Sequence, residues 1–496
     1  MSPGSSEAVL AWLVAGAGQG TPAEKVVETS IAWVVLFPDR VLKLKKPVDF
    51  GFLDFTSAER RRWACEREVA LNRETAPDLY RGVRAVAQAS PRDFALDGPG
   101  EAVDWLVEMR RFPEDALLSA RPSGVDGVLA ETLGREIARF HARADCADPS
   151  AGRDALAYVL ASNAELLRRR GADLGAEAVE RLIAATQARF DALAPLLLAR
   201  GAQGFVRRCH GDLHLANIMV EQGRPVLFDC IEFNETFIRI DVLYDLGFLL
   251  MDLGFRGFGA AANRALNGWL DEAARGLPAD GFWAGLGALP LFQSIRAAVR
   301  AHVTVNQREP ALARRYVAAA LAHLEPAAPR LIAVGGFSGS GKSTWARRLA
   351  PTLAPAPGAV VLRSDEVRKR LWGRAPLERL PAEAYGPGPS ERVYGAMLAA
   401  AREALAAGWP AVLDAAFLRP EERAAAEALA KAAGVGFEGV WLDAPPETLR
   451  ARVGARKDDA SDADLQVLEA QLARGAGEIG WRRVAVEALP PAPLTA

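Results

Sequence analysis

A glycine-rich segment at residues 336–344 carries the most specific chemical pattern in the sequence. It reads Gly-Phe-Ser-Gly-Ser-Gly-Lys-Ser-Thr and matches G-x-x-x-x-G-K-S/T in full, after an apolar strand pattern and before a helical one. Such glycines let backbone N–H groups converge on phosphate oxygens, while the lysine supplies positive charge and the hydroxyl can hold Mg²⁺. The predicted nucleotide-binding residues are Gly336, Ser338, Gly339, Ser340, Gly341, Lys342, Ser343 and Thr344. Lys342 is also expected to act in catalysis and Ser343 to bind the metal.

Two acidic residues and a helical stretch follow this loop. Asp365 ends the next strand pattern, with Arg368 three residues on, and Asp414 ends another apolar strand pattern. A carboxylate at the position of Asp414 suits Mg²⁺-bound water or the substrate. Further on, Arg452 and Arg456 are predicted to lie on a mobile lid that neutralises charge developing on the γ-phosphate. A solvated helix face is the alternative for these arginines, and it is the preferred interpretation of the nearby Arg450.

A second chemical pattern lies at residues 210–217, which read His-Gly-Asp-Leu-His-Leu-Ala-Asn. On one tight loop, Asp212 and Asn217 can serve a substrate hydroxyl and a metal ion together. Asp229 follows an apolar strand pattern and can chelate the Mg²⁺ of a nucleotide. H-x-D-x-x-x-x-N with a later Asp is the arrangement of protein kinases. The chain therefore carries two separate patterns for phosphoryl transfer.

A zinc site is the alternative interpretation of this region, with Cys209, His210, His214 and Cys230 as ligands. These residue types suit tetrahedral Zn²⁺, but adjacent ligands have poor geometry, and zinc leaves Asp212 unexplained. The chain has four cysteines and no CxxC. They are expected to be small core residues of a protein in a reducing cytoplasm.

Residues 1 to about 325 resemble the aminoglycoside phosphotransferases and choline kinases, which share the H-G-D-x-H-x-x-N form of residues 210–217. The resemblance implies Asp212 as the catalytic base and Asn217 and Asp229 as Mg²⁺ ligands. It also implies that two histidines brace the loop and that ATP is the phosphoryl donor, with GTP left open.

The same resemblance implies a strand lysine on the α/β-phosphates, Lys43, and a helix partner for it, Glu68. Lys45 remains a rival for Lys43, and Glu66 remains a rival for Glu68. No G-x-G-x-x-G precedes these lysines, so a different loop is expected to cover the phosphates. Glu232 is a candidate for an extra metal ligand.

The region after the glycine-rich loop resembles the P-loop kinases around polynucleotide 5′-kinase, the zeta toxins, chloramphenicol phosphotransferase and gluconate kinase. The matching pieces are the glycine-rich loop, the D-x-x-R of Asp365 and Arg368, residues 413–419 and the lid end at residues 461–463. In such enzymes the Asp of D-x-x-R takes the proton of the acceptor hydroxyl, which implies that role for Asp365. A helix N-cap is the alternative for this residue.

The elements that must position these residues divide the chain in two. A hairpin is predicted at residues 31–45, a helix at 57–73, and long helices at 154–170 and 176–200. After a proline-rich seam at residues 324–330, strands and helices alternate, which predicts a parallel sheet. The expected fold is an α+β bilobal protein-kinase-like domain followed by an α/β P-loop domain with a parallel sheet. The domains are placed at 1–327, with a small lobe of about 1–110 and a helical large lobe of about 111–327, and at 328–496.

Composition limits the partners of the chain. Its 496 residues hold 60 Lys+Arg and 62 Asp+Glu, a net charge of −2, which excludes a generally basic nucleic-acid-coating protein. The apolar run at residues 9–15 is interpreted as part of an amphipathic helix, since no Lys or Arg precedes Lys25. No membrane partner is expected, and the oligomeric state is left open.

The sequence thus predicts a bifunctional, ATP- and Mg²⁺-dependent kinase that phosphorylates a hydroxyl of a small polar metabolite such as a sugar or aminoglycoside. The fusion is similar to a bacterial family that couples an aminoglycoside-phosphotransferase-like domain to a P-loop kinase domain. Two alternatives stay open: a polynucleotide 5′-hydroxyl kinase in the P-loop half, or one half that is a regulatory nucleotide-binding module.

Overall fold

A computed structural model describes residues 4–17, 20–90 and 93–485. The chain forms two compact units. The first comprises the residues up to Gly124 together with Arg208–Ile240, and the second comprises Val125–Arg207 and the residues from Asp241 onward. The segment with Asp212 and Asn217 therefore lies in the first unit, and the glycine-rich loop lies in the second.

An antiparallel sheet is the framework of the first unit. Its strands, in the order β1-β2-β3-β6-β4-β5, are β1 (Lys25–Glu28), β2 (Ala32–Leu36), β3 (Arg40–Lys45), β4 (Tyr80–Ser90), β5 (Asp93–Leu96) and β6 (Glu101–Arg110). The other elements are α1 (Gly4–Val14), α2 (Ala58–Asn72), the hairpin β8 (Ile218–Glu221) and β9 (Arg224–Leu227), and α7 (Glu235–Ile238). Short 3-10 turns lie at Glu114–Ala116, Pro122–Gly124 and Leu215–Asn217.

The alternation of β3 directs its two lysines to one face of the sheet. Leu42 and Leu44 are fully buried in an apolar cluster on the opposite face. Lys43 and Lys45 therefore share the side on which α2 packs. That helix begins at the N-cap Ser57, whose hydroxyl accepts a hydrogen bond from the Arg60 N–H.

Long helices make up the first part of the second unit. They are α3 (Gly127–Arg143), α4 (Ala151–Arg169), α5 (Gly171–Leu174), α6 (Ala176–Ala202), α8 (Val242–Phe255), α9 (Gly259–Gly276), α10 (Leu289–Asn306) and α11 (Pro310–His323), with a 3-10 helix at Trp283–Ala288. Two three-residue strands, β7 (Val206–Arg208) and β10 (Arg239–Asp241), span the points where the chain passes between units. Among the described helices, α6 alone has the length and apolar composition of a membrane span. It buries Val179 and Leu182 in the helical core.

A five-stranded parallel sheet forms the rest of the second unit. Its strands, in the order β12-β13-β11-β14-β15, are β11 (Arg330–Gly335), β12 (Val360–Arg363), β13 (Ala411–Asp414), β14 (Gly436–Asp443) and β15 (Arg482–Ala485). The helices are α12 (Lys342–Leu349), α13 (Ser364–Leu371), α14 (Pro387–Ala406), α15 (Pro420–Ala433), α16 (Pro446–Gly454) and α17 (Leu465–Arg474), with 3-10 turns at Ala350–Thr352 and Ala382–Tyr385.

The predicted fold class is confirmed: a kinase-like α+β region precedes an α/β domain with a parallel sheet. One local prediction is wrong. Strand β12 ends at Arg363, so Asp365 lies in the first turn of α13 and not at the end of the strand.

Candidate active sites

The predicted catalytic loop of the first unit is held together by side-chain hydrogen bonds. Asn217 donates from Nδ2 to the Asp212 carboxylate Oδ2 and to its backbone oxygen, at 2.9 Å each. The His210 ring lies between the Asp212 N–H, at 3.3 Å from Nδ1, and the Phe228 carbonyl, at 2.9 Å from Nε2. The loop thus holds the Asp212 carboxylate and the Asn217 amide side by side, and His210 links it to Phe228, the residue before Asp229.

This bonding pattern argues against the zinc alternative. Both ring nitrogens of His210 meet backbone partners, and His214 accepts the Ala216 N–H at Nδ1 while its Nε2 lies 3.4 Å from Asp212 Oδ2. A ring nitrogen that donates, or whose lone pair already accepts, cannot also bind Zn²⁺. These hydrogen bonds therefore disfavour the zinc interpretation and fit histidines that brace the loop.

Lys43 joins the catalytic segment to helix α2. Its Nζ lies 2.9 Å from Glu68 Oε1 and 2.6 Å from Asp229 Oδ1. Burial alone lowers the pKa of Lys43, but Asp229 and Glu68 outweigh burial and hold that pKa well above its ordinary value. Asp229 has a positive φ of 60°, and its N–H donates to the Tyr80 hydroxyl at 3.1 Å. Lys43 is therefore in direct contact with Glu68, its predicted helix partner, and with Asp229, a predicted Mg²⁺ ligand.

A second buried ion pair lies behind the first. Lys45 is fully buried and contacts both Glu68 and Glu232, whose side chains are 0% and 4% exposed. Glu232 is therefore engaged by Lys45 rather than available to a metal ion. Glu66, the rival of Glu68, lies on the exposed face of α2 and pairs with Arg62 at 2.8 Å.

The glycine-rich loop of the second unit connects β11 to α12. Gly339 has φ +84°, and a Cβ at that position would lie 2.8 Å from the Leu449 carbonyl oxygen, so only glycine fits this turn. The Lys342 Nζ donates to the carbonyl oxygens of Gly336 and Phe337, both at 2.9 Å. Burial lowers the pKa of Lys342 to about 8. The Lys342 ammonium thus lies over the first residues of the glycine-rich loop.

Asp414 and Ser343 form the oxygen-rich part of this site. The Ser343 hydroxyl donates to the Asp414 carboxylate, and burial raises the pKa of Asp414. The Asp414 Oδ2 is buried and has no hydrogen-bond partner among the described residues, with Arg363 Nε 3.8 Å away. A buried carboxylate oxygen without a partner, beside a hydroxyl, fits a hard cation such as Mg²⁺.

One cavity of about 400 Å³ collects most of the predicted P-loop residues. Those that line it are Ser338, Gly339, Gly341, Lys342, Ser343, Thr344, Asp365, Asp414, Arg452 and Arg456. Gly336 and Ser340 do not line it. Helix α13 adds Arg368, and later segments add Tyr385 and Tyr394. The cavity therefore extends from the glycine-rich loop to the first turn of α13, and the carboxylates of Asp414 and Asp365 lie 3.8 Å and 3.7 Å from the Arg363 guanidinium.

The predicted lid is built from α16 and the loop that follows it. Helix α16 ends at Gly454, so Arg452 belongs to the helix and Arg456 to the loop. Arg456 Nη1 donates to the Ala463 carbonyl at 3.4 Å, and both arginines face the cavity. Arg450 instead pairs with Glu469 on the exposed surface, as the solvated-face interpretation predicted.

Sequence reasoning missed several residues of this site, among them Arg363 and Asp459. Arg363 lies 2.6 Å from Asp459 Oδ1 and 3.7 Å from Asp365 Oδ2, so it connects the lid loop to the start of α13. Its position at the end of a strand, directly before Ser-Asp, was an available signal. Asp459 carried no signal, because it lies in an irregular segment far along the chain.

Comparison with known proteins identifies two kinase-like domains in the chain. The phosphotransferase enzyme family model matches residues 54–283, and the AAA domain model matches residues 331–476. The protein is a kinase in which an aminoglycoside-phosphotransferase-like domain precedes a P-loop kinase domain.

Relatives extend over nearly the whole chain. "Uncharacterized protein Rv2004c" of Mycobacterium tuberculosis (strain ATCC 25618 / H37Rv) is 31% identical over 472 residues, which are 92% of this chain and 91% of the relative. "Uncharacterized protein Mb2027c" of Mycobacterium bovis (strain ATCC BAA-935 / AF2122/97) gives the same figures. The chain belongs to the family of these mycobacterial proteins.

Solved structures resemble each part separately. A choline/ethanolamine kinase family protein from Mesorhizobium loti is 15% identical and covers 64% of this chain and 95% of its own, with a TM-score of 0.37. A gluconokinase from Sinorhizobium meliloti 1021 is 26% identical and covers 33% of this chain and 85% of its own, with a TM-score of 0.22.

Proposed function

We propose that the protein is a bifunctional, ATP- and Mg²⁺-dependent phosphotransferase of the cytoplasm. Each site moves the γ-phosphoryl group to a hydroxyl of a small polar metabolite such as a sugar or aminoglycoside. One observation carries the proposal: each unit gathers a lysine, oxygen ligands for a cation and a separate carboxylate around one loop. In-line phosphoryl transfer needs these parts and little else, because catalysis comes from positioning and charge neutralisation.

In the first unit, Lys43 binds the α/β-phosphates and Asp212 accepts the proton of the acceptor hydroxyl. Asn217 and Asp229 would hold Mg²⁺, which would offset the negative charge of the phosphates. The Lys43–Asp229 contact of 2.6 Å supports this arrangement. When the nucleotide binds, a phosphate can pair with Lys43 in place of Asp229, and the cation can pair with Asp229 in place of Lys43. Glu68 keeps Lys43 in place from α2 at 2.9 Å.

In the second unit, the loop at residues 336–344 binds the phosphates, and Lys342 stabilises the transferring group. Ser343 and Asp414 hold Mg²⁺, since the unpartnered Asp414 Oδ2 is the kind of atom a cation satisfies. Asp365, which also lines the cavity, removes the acceptor proton. Arg452 and Arg456 neutralise the developing charge when the lid is in place.

The cavity supports a small acceptor. Its volume of about 400 Å³ lies in the range of small-molecule sites and must also hold the nucleotide phosphates. Tyr385 and the guanidinium of Arg368, which lies 4.8 Å from the Tyr385 ring centroid, offer a flat polar wall for a ring with hydroxyls. The catalytic division at residue 327/328 is part of the same proposal, with residues 1–327 and 328–496 each supplying the catalytic side chains of one site.

Phosphoryl transfer into a metabolite extract tests the proposal. Wild type, Asp212→Asn and Lys342→Met are incubated with Mg-ATP and extract, and compounds that gain one phosphate are identified by mass. Glu66→Gln is the matched control, since Glu66 lies on an exposed helix face. We expect each site variant to lose a different product and the control to lose none. The two-site proposal fails if both site variants keep every product, and the small-molecule proposal fails if only a 5′-hydroxyl oligonucleotide is labelled.

A further inference from the structure

Helix α9 of the helical part lies along the open edge of the P-loop sheet. Strand β12 is the edge strand on that side. The Asn267 side chain accepts the Val361 N–H at 2.6 Å and donates to the Ala359 carbonyl at 3.2 Å, which is the pattern a neighbouring strand would offer. Asn263, one helical turn earlier and 1% exposed, donates to the same Ala359 oxygen at 3.0 Å. We call these two residues the edge clamp.

Charged residues continue the contact from β12 to α13. Asp271, the next turn of α9, pairs with Arg370 at 3.1 Å and with Arg135 of α3 at 2.5 Å. Glu366 lies 3.9 Å from the same Arg135. Glu366 and Arg370 are four residues apart and so share one face of α13. We call Arg135, Asp271, Glu366 and Arg370 the charged cluster.

The other face of α13 carries the chemistry. Asp365 and Arg368, three residues apart, both line the cavity of the P-loop site. The helix has only eight residues, so a shift of one face moves the other by a similar distance. Whatever holds Glu366 and Arg370 therefore also sets the position of the proposed base.

The glycine-rich loop is tied to the same place. Arg347, on α12, lies 3.7 Å from Glu366 Oε1 and 3.8 Å from Glu131 Oε2 of α3. Helix α3 can reach this point because it crosses α9 closely at glycines: a Cβ on Gly134 would lie 2.0 Å from the Ala265 carbonyl oxygen. The helix after the phosphate loop and the helix with the proposed base thus meet one pair of helices.

We infer that α9, although it precedes the P-loop domain in the chain, is a working part of the P-loop site: Asn267, Asp271 and Glu366 are positioning residues that set α13, and with it Asp365 and Arg368, for transfer. The inference rests on the proposed function of that site. The edge clamp covers β12, and the charged cluster fixes the rotation of α13. Both groups thus hold the acceptor side of the site, while the helix after the phosphate loop meets the helical part through Arg347.

Hydrogen exchange of the full-length chain tests this division. The variants are Asn267→Leu, which removes both edge hydrogen bonds, and Asp271→Asn, which weakens the charged cluster. Glu136→Gln is the matched control, because Glu136 pairs with Arg139 on its own helix at 2.5 Å. Amide exchange is followed at residues 360–371 and 342–349, with and without Mg-ATP. Phosphoryl transfer into the metabolite extract is measured in parallel.

We expect exchange at residues 360–371 to rise about tenfold in both site variants, as the loss of one or two hydrogen bonds implies. Transfer through the P-loop site should fall about 10- to 100-fold, since small misplacements of a catalytic group have costs of that size. The Mg-ATP concentration that protects residues 342–349 should stay within about threefold of wild type. Asp271→Glu, which keeps the carboxylate, should restore most of the transfer.

Other results would overturn the inference. Unchanged exchange at residues 360–371, with normal transfer, removes the positioning role and leaves the proposed function intact. Equal rises throughout the second unit, or a lost Mg-ATP response at residues 342–349, assign the contacts to general stability alone. If the wild type transfers no phosphate through the P-loop site, the proposed function fails and the positioning role in that reaction fails with it.

Discussion

Replacement of Lys45 by Met should separate the two adjacent lysines of β3 by their roles. Lys45 is fully buried between Glu68 and Glu232, while Lys43 bridges Glu68 and Asp229, whose side chain is 40% exposed. Without Lys45, Glu232 loses its ion-pair partner in a site that water does not reach. Without Lys43, Glu68 still has Lys45, and Asp229 can be hydrated.

The expected magnitudes follow from burial. Removing one partner of a buried ion pair costs about 3–5 kcal/mol, which predicts a large loss for Lys45→Met. Lys43→Met should cost about 1 kcal/mol, because both of its partners keep a cation or water. For a unit of about 150–250 residues, 1 kcal/mol corresponds to about 2–4 °C in Tm. Lys45→Met should therefore lower the Tm of the first unit by about 10 °C, and Lys43→Met by only a few degrees.

The assay pairs differential scanning calorimetry with phosphoryl transfer through the first site. Lys43→Met should abolish transfer with little change in Tm, and Lys45→Met should do the reverse when measured well below its own Tm. The double variant Lys45→Met/Glu232→Leu should recover most of the lost stability, since two apolar residues can replace a buried pair. A Lys45→Met protein that melts like wild type but transfers no phosphate would refute the reasoning and make Lys45 the phosphate-binding lysine.

Three further predictions concern the second unit. Arg452→Ala should lower phosphoryl transfer through the P-loop site at least about tenfold, because it removes a cation that faces the cavity. The surface control Arg450→Ala should change transfer less than about twofold. Equal effects of the two variants would contradict the lid assignment. Burial lowers the pKa of His323 to about 4, below its unfolded value, so the stability this neutral ring contributes is present above pH 6.5 and is lost as pH falls towards 4. Between pH 7 and pH 5, the free energy of unfolding measured by urea denaturation should therefore fall about 1–2 kcal/mol less for His323→Gln than for wild type. If the two proteins show the same pH dependence, the ring is solvated. Gly134→Ala, at the crossing of α3 and α9, should lower the free energy of unfolding by about 1–3 kcal/mol. The control Gly254→Ala, whose added Cβ meets nothing within 4 Å, should be neutral or slightly stabilising. Similar values for both variants would show that the two helices can move apart freely.

Functional motifs that lie within a few consecutive residues could be predicted from the sequence. The glycine-rich loop and the pair Asp212 and Asn217 are each contained in a few consecutive residues, and their chemistry follows from residue types at fixed spacing. The parallel sheet followed from the alternation of apolar strands with helices. These predictions needed no knowledge of how distant segments meet.

Contacts between residues far apart in the sequence could not be predicted in this way. Lys43 and Asp229 are separated by 186 residues, and the choice between Glu68 and Glu66 depends on which face of α2 the sheet covers. The placement of Asp365 failed for a local reason, because Ser364 begins a helix where the apolar pattern suggested a longer strand. The amides of the edge clamp gave no signal at all, since an Asn on a helix usually faces water.

Nucleotide-binding stoichiometry tests the central claim, two independent phosphoryl-transfer sites, most directly. Isothermal titration of the full-length chain with a non-hydrolysable ATP analogue and Mg²⁺ should give two nucleotides bound per chain. Lys43→Met and Lys342→Met should each give one, and the double variant none, because loss of a charged phosphate contact weakens a site about 30-fold or more. One nucleotide per wild-type chain, or two per chain in either single variant, would contradict the account.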